Sequence, residues 1–347
     1  MIRQTYLEVY LKNIEYNVKN IIEYAKDYSY HIAVVKANCY ALGIKAIKSI
    51  VKGGANYLAV SSLEEALKVR KLTNLDILVL EPINIKYTNI AFKNNITLTI
   101  SSLDYLKTIK DKKFKCHIKI DSNMNRLGIN NTKELDEVVN IINESNIELE
   151  GIYTHIYKAS DVNTTEEQFK KFEEITKNID LSKIKIVHIP NSDTLVNYKK
   201  RDYVNGHRMG IIMYGFNNKL KLKNTFSVIS KVLNIKEVKK GQTVGYDGAY
   251  TANKDELIAI LPIGYADGIT RNNTGRYVYI KGKKYKIVGN ICMDMLFILV
   301  DKNVKVGDIA YVIKDIEHTN EIARHINTIN YEVMCNIGSR VERVYKD

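Results

Sequence analysis

The sequence predicts an α/β fold: an N-terminal (β/α)8 barrel of the TIM type followed by a C-terminal all-β domain. Three observations carry the prediction. Short apolar runs alternate with amphipathic 3.6-period stretches through the first part of the chain. Polar or charged residues end run after run. From about residue 224 the alternation gives way to short strand patterns separated by turns.

Residues 5–10, Thr-Tyr-Leu-Glu-Val-Tyr, alternate as a strand does. Residues 11–26 follow as an amphipathic helix marked by Leu11, Ile14, Val18, Ile21 and Ile22. Apolar strands then begin at Ile32, Tyr57, Ile77, Ile96, Cys116, Leu149, Ile184 and near Gly210, with helical stretches between them. Ser61-Ser62-Leu63-Glu64-Glu65 offers two overlapping capping boxes at the start of one helix. Residues 132–145 and 165–179 carry the helical period plainly.

The strand ends hold Lys36, Ser61, Glu81, Ser101, Asp121, His155 and Asn191-Ser192. In a closed barrel these all face one mouth. In a doubly wound open sheet, the competing architecture, they spread along an edge. Strand ends are polar wherever a chain leaves a core, which accounts for the serines but poorly for Lys36 and His155. After the barrel, strand patterns occupy residues 226–233, 256–261, 277–280, 285–288, 296–300 and 309–312. The expected domains are residues 11–223 for the barrel and 224–347 for the β domain, with residues 1–10 adding a strand to the latter.

The 347 residues suffice for a barrel and an extension. Hydrophobic residues make up 45% of the chain and only three residues are proline, which places it among globular proteins. No apolar run approaches the ~20 residues that span a bilayer. Residues 1–6 lack the apolar core of a signal peptide. A cytoplasmic protein with no membrane partner is expected. Cys39, Cys116, Cys292 and Cys335 form no C-x-x-C pair, which excludes zinc ribbons and thioredoxin-like motifs and fits reduced thiols. No metal is expected. The 52 Lys and Arg against 39 Asp and Glu leave a net charge of +13. Such charge raises the question of nucleic acid. The lysines, however, stand beside glutamates on helical faces, as in Glu64-Glu65-Ala66-Leu67-Lys68, and no basic arm or binding module occurs. No nucleic-acid partner is expected.

The most informative stretch is His31-Ile-Ala-Val-Val-Lys36-Ala-Asn-Cys-Tyr40-Ala-Leu-Gly43. Its apolar run is short and unalternated, as in a strand buried on both faces, and it ends in a lysine. Burying the stem of such a lysine lowers its pKa and frees the amine for covalent chemistry. A lysine that simply snorkels out at a strand end is the plain alternative. A turn at Asn38 and a helix from about Ile44 are expected to follow.

Val35-Lys36-Ala37-Asn38-Cys39-Tyr40, with Gly43, resembles the cofactor-lysine motif of the pyridoxal-phosphate-dependent alanine racemase family. Lys119-Ile-Asp121-Ser-Asn-Met124-Asn-Arg126-Leu-Gly128 is similar to a second motif of that family, and Ile152-Tyr-Thr154-His155 to a third. His207-Arg208-Met-Gly210-Ile211-Ile-Met-Tyr214-Gly215 resembles a fourth. Three more lie in the β domain: Val244-Gly-Tyr246-Asp-Gly-Ala-Tyr250, Pro262-Ile-Gly264-Tyr265-Ala-Asp267-Gly268 and Gly289-Asn-Ile-Cys292-Met293-Asp294. The last, Asn330-Tyr331-Glu332-Val333 with Gly338-Ser339-Arg340-Val341, closes a resemblance that runs in order over nearly the whole chain.

The resemblance implies that Lys36 holds pyridoxal 5'-phosphate and, once the amino acid displaces it, serves as base on one face of Cα. The base on the opposite face is then Tyr246, reaching in from the other subunit of a homodimer, with His155 placed to tune a phenol that is a poor base at neutral pH. Apart from the resemblance, Tyr246 reads as one of 24 tyrosines and Arg208 as a surface salt bridge. Arg208 would meet the pyridine nitrogen and, being always protonated, disfavour a protonated ring. Ser192, opening a helix after the seventh strand, and Gly210 and Ile211 after the eighth would hold the phosphate, with Tyr40 adding its hydroxyl. Ser339 stands where a tyrosine often serves the phosphate. Arg126 would partner the cofactor oxygen and the substrate carboxylate with its fixed fork of donors. Lys119 matches a lysine that is carbamylated in many members. Met293 would offer its backbone N–H to the substrate, and Tyr265 and Asp294 would line the entrance, although Asp294 equally reads as a turn or capping residue.

The chain departs from the family pattern at Ala41-Leu42, where Gly-His is usual, at Asn123 and Asn125, where glycines are usual, and over residues 157–160. The implied activity is interconversion of L- and D-alanine for cell-wall precursors. The readings it competes with are a serine or broad-specificity racemase, a non-catalytic cofactor-binding protein on the same barrel, and a related-barrel decarboxylase. The last two are not expected to need the Tyr246 motif.

Overall fold

The structure, a computed structural model, describes residues 3–347. Residues 1 and 2, part of the segment expected to add a strand, lie outside the described residues. Two units are present. One is built from Ile14–Cys39 and Ile44–Leu222; the other takes the N-terminal segment through Asn13, Tyr40–Gly43 and Lys223–Asp347.

Strand β1 (Thr5–Tyr10) belongs to the second unit. In the first, β2 (Tyr30–Val34), β3 (Tyr57–Val60), β4 (Ile77–Val79), β5 (Ile96–Ile100), β6 (Phe114–Lys119), β7 (Ile147–Tyr153), β8 (Ile186–His188) and β9 (Gly206–Met209) pair in parallel. β9 returns to β2 through Tyr30 opposite Gly206, so among the described residues these strands form a closed barrel. Its interior is unusually polar for a barrel core, which is commonly filled by branched aliphatics. Thr97, Thr99, His117, Glu150 and His188 are all buried.

The last two barrel strands differ from the sequence expectation. The eighth ends at Met209, before Gly210, and Ile184 caps the 3-10 turn Leu181–Lys183 ahead of β8. The helix expected over 165–179 runs Val162–Ile175, because Asp161 accepts the Thr164 N–H and starts it a turn earlier. Ser62 caps Leu63–Arg70 by accepting the Glu65 N–H.

In the second unit the chain continues through β10 (Phe226–Lys231), β11 (Asn234–Val238), β12 (Thr243–Val244), β13 (Tyr250–Thr251) and β14 (Glu256–Leu261). It ends with β15 (Tyr277–Ile280), β16 (Lys283–Val288), β17 (Leu296–Val300), β18 (Ile309–Ile313) and β19 (Glu342–Lys346). Among the described residues one sheet runs β11-β14-β17-β16-β15-β18-β10-β1-β19, and β12 pairs with β13. β1 lies antiparallel to β10 and parallel to β19. Two short helices, Ile316–His325 and Asn330–Cys335, accompany the strands. The first is capped by Asp315, which accepts the His318 N–H at 2.9 Å. Among the described residues no helix is long and apolar enough to cross a membrane.

Candidate active site

The chain leaves β2 and turns left-handed. Ala37, Asn38, Cys39, Tyr40 and Ala41 have φ of 50, 56, 55, 53 and 67°, and Gly43 has 96°. A left-handed run of L-residues costs about 1–2 kcal/mol per residue, so something must hold it. Glu65 does so in part: its carboxylate accepts the Ala37 N–H at 2.6 Å and the Ser61 N–H at 2.9 Å. Cys39 is buried within the turn, which pushes its thiol up to about 12. Lys36, half-buried, is thus fixed at the exit of β2 by a backbone that cannot slide along the strand.

Around the same end of the barrel the loop after β6 folds on Asp121. One carboxylate oxygen accepts the N–H of Met124 at 2.9 Å and of Asn125 at 3.0 Å; the other accepts that of Arg126 at 3.2 Å. Gly128, at φ +128°, has no room for a Cβ, which would lie 2.6 Å from the Asp121 nitrogen. Lys119 is buried at the end of β6, with its amine 5.9 Å from the Tyr153 ring centre. Burial first, then the charges of Arg126 and Arg208, lower its pKa to about 8.

Arg208, on β9, is buried and donates widely. Nη1 gives hydrogen bonds to Nδ1 of His188 at 2.8 Å and to the His188 carbonyl at 2.7 Å. Nη2 gives them to the carbonyls of Thr154 at 2.7 Å and Ile189 at 3.0 Å, and to Nδ1 of His155 at 3.3 Å. Burial lowers the guanidinium to about 10, which leaves it charged at neutral pH. Burial and the neighbouring cations, Arg208 first, lower His155 to about 3, so this imidazole is neutral. Because Arg208 can only donate, His155 Nδ1 is the acceptor and Nε2 carries the hydrogen.

Ser192 opens the helix Ser192–Asn197 after β8, and its hydroxyl accepts the Gly210 N–H at 3.1 Å. The ends of the last two barrel strands are therefore tied together. The structure brings Lys36, Lys119, Arg126, His155 and Arg208 into mutual electrostatic reach. Asp121, a carboxylate that acts on Lys119 there, already serves three backbone N–H groups. Such an excess of cations fits a phosphorylated, carboxylate-bearing ligand, and so fits pyridoxal phosphate with an amino acid. Among the described residues no cluster of His, Cys, Asp or Glu could hold a metal ion.

Ile211 is buried directly after Gly210 in the first unit, and the remaining predicted residues lie in the second. Tyr40 is buried, with its ring 6.0 Å from that of Tyr331. Ser339 is exposed. Tyr246 is 70% exposed on a turn between β12 and β13, where Asn290 donates to its carbonyl at 3.1 Å and to the Asp247 carboxylate at 3.1 Å. Arg3 and two of the motif segments meet at the buried carboxylate of Asp267. It receives Arg3 at 2.5 and 2.7 Å, the Gly264 N–H at 3.0 Å and Arg340 Nε at 3.1 Å. The Tyr265 N–H donates to Cys292 O at 3.0 Å and the Ala266 N–H to Met293 O at 3.1 Å. Arg340 also reaches Asp294 at 2.6 Å, so Asp294 is an ion-pair partner as well as an exposed loop residue. A Cβ on Gly268 would lie 1.9 Å from Asn336 O, which explains the glycine there.

Residues 9–218 match the family described as alanine racemase, N-terminal domain, and residues 225–345 match its C-terminal domain. The chain belongs to the alanine racemase family. An alanine racemase of Halalkalibacterium halodurans is 34% identical over 99% of this chain and 95% of its own length. The alanine racemase of Bacillus anthracis with bound L-Ala-P superposes with a TM-score of 0.93 at 33% identity, covering 100% of this chain and 96% of that one. That of Clostridium difficile 630 gives 0.94 at 33% identity over 100% of this chain and 96% of its own. The chain is thus an amino-acid racemase, and family membership implies a cofactor.

Sequence reasoning missed four residues. Glu65 carries a capping signature and nothing that points to Lys36. His117, Glu150 and His188 are ionisable side chains inside apolar strand patterns, and that mismatch is the signal that would have found them.

Proposed function

We propose that this chain is a homodimeric, cytoplasmic, pyridoxal-phosphate-dependent racemase that interconverts L- and D-alanine with two bases, supplying D-alanine for peptidoglycan. The observation that carries the reading is the cationic barrel mouth, where Lys36, Lys119, Arg126 and Arg208 act together with few carboxylates among them. When bound, pyridoxal phosphate withdraws electrons from the substrate Cα and acidifies its hydrogen.

The residues divide the rest of the work. Ser192, Gly210 and Ile211 hold the phosphate, with Tyr40 and Ser339 as further hydroxyls. Arg208 donates toward the ring nitrogen and leaves it unprotonated, which restrains side reactions such as transamination. Arg126 forks onto the substrate carboxylate, aided by the Met293 N–H, while Tyr265 and Asp294 line the entrance. The Lys36 amine takes or gives the Cα proton on one face. Tyr246 does so on the other, from the second subunit; its exposure suits a side chain that reaches outward. His155, with its hydrogen on Nε2, donates to a phenolate and so eases loss of the tyrosine proton.

Lys119 is poised to be carbamylated. With its pKa near 8, a fair fraction of the amine is neutral at neutral pH, able to add CO2 with release of a proton. The resulting anion would pair with Arg126. Growth or incubation with 13C-bicarbonate is expected to give a carbamate resonance that Lys119→Arg removes; its absence from the wild type would refute the modification.

The deciding experiment supplies the purified protein with pyridoxal phosphate and each L-amino acid, and follows the products by chiral chromatography. D-Alanine is expected to form fastest, by about tenfold or more over D-serine, since one added hydroxyl in a fitted pocket is worth 1–3 kcal/mol. Faster D-serine formation would reassign the substrate. Release of CO2 would indicate a decarboxylase, and no turnover at all a binding protein.

A further inference from the structure

Inside the barrel, away from the mouth, a line of buried groups leads from Arg208. Nδ1 of His188 faces Arg208, and its Nε2 lies 2.9 Å from Nδ1 of His117. Nε2 of His117 lies 3.3 Å from a carboxylate oxygen of Glu150. The same carboxylate takes the Tyr57 hydroxyl at 2.7 Å and Lys185 at 2.8 Å. Both imidazoles and Glu150 are almost wholly buried. The strands are cut to fit them. A Cβ on Gly151 would stand 2.8 Å from two atoms of the His117 ring, and one on Gly206 3.0 Å from the His188 Cβ.

We infer that Glu150 is a positioning residue, which fixes the donor direction of this histidine relay and through it orients and charge-balances Arg208. The two ends dictate one direction. Arginine has no acceptor, so His188 accepts at Nδ1 and carries its hydrogen on Nε2. His117 then accepts at Nδ1 and donates from Nε2, and an ionised carboxylate, which can only accept, ends the line. Burial lowers both histidines, which keeps them neutral. Burial raises Glu150, but the bonds from His117, Lys185 and Tyr57 outweigh it and hold the carboxyl below its ordinary range. Arg208 receives no carboxylate among its hydrogen-bond partners, so Glu150, reached through two polarisable rings, is the anion of this line.

The direction of the relay stands on geometry alone; the consequence for catalysis rests on the role proposed for Arg208 above. Protein labelled with 15N-histidine, without added cofactor, is expected to show His117 and His188 as neutral Nε2–H tautomers in long-range proton–nitrogen spectra. Glu150→Gln replaces an acceptor by a group that also donates, so His117 is expected to populate Nδ1–H. In the cofactor-loaded variant the visible absorption band shifts, and kcat falls on the order of tenfold with KM unchanged. Lys185→Met, a half-exposed change that removes the cation nearest Glu150 but leaves its carboxylate as the acceptor, is expected to keep both Nε2–H tautomers while shifting the ring nitrogen resonances and the band in smaller measure, and it guards against a buried variant that fails to fold. An Nδ1–H tautomer at either histidine of the wild type overturns the inference. So do unchanged nitrogen shifts and an unchanged band in both variants. A wild type with these tautomers but no affinity for pyridoxal phosphate would instead overturn the cofactor reading.

Discussion

Lys36→Ala is expected to abolish the visible absorption of bound pyridoxal phosphate and to cost about a thousandfold or more in racemisation, since in the role proposed for Lys36 it removes both the covalent anchor and one acid–base group. Lys119 is buried under Tyr153, and Lys36 itself is placed by a left-handed turn that Glu65 clasps at Ala37. The turn and the barrel survive truncation at Cβ, so the melting temperature is expected to stay near that of the wild type. A variant that keeps its visible band would end the assignment of Lys36, and one that loses both band and fold would leave Lys36→Arg to decide by the same spectrum.

Tyr246→Phe is expected to separate the two faces of the substrate. The racemisation equilibrium constant is unity, so kcat/KM falls equally in both directions, by about a hundredfold to ten-thousandfold for loss of an acid–base group. Exchange of the Cα hydrogen with solvent is free of that constraint. In heavy water the enantiomer whose hydrogen faces Lys36 is expected to exchange without inversion, while its mirror image exchanges far more slowly. Equal exchange from both enantiomers would remove Tyr246 as second base. The change leaves the turn in place, because the side chain is largely exposed and the turn is held by Asn290 through the Tyr246 carbonyl.

Much of this was legible in the sequence, and the rest shows where pattern reading stops. The barrel could be read because several strand ends carry their own chemistry, and Lys36, Asp121, His155 and Ser192 do lie just after β2, β6, β7 and β8. Element boundaries slipped where a cap outweighed the hydrophobic period, as at Asp161. The two helices of the second unit were hidden because ten and six residues give too little period to see. Contacts across long separations could not be read at all. Glu65 meets Ala37 across 28 residues, and His117 meets His188 across 71. A capping glutamate and a core histidine look alike in sequence whether or not they serve a reactive neighbour.

The left-handed positions also change the meaning of the chain's departures from its family's pattern. Ala41, Asn123 and Asn125 each stand where that pattern has glycine, and their φ values are 67, 71 and 55°. The same three positions therefore keep the glycine-type backbone without the glycine. Asparagine tolerates that conformation at small cost; alanine pays about 1 kcal/mol or more. The loops that carry Lys36 and Arg126 thus follow a path set by the fold rather than by local preference. Returning glycine to Ala41 would therefore relieve strain without altering the course of the backbone, because the conformation is already the one glycine adopts most readily.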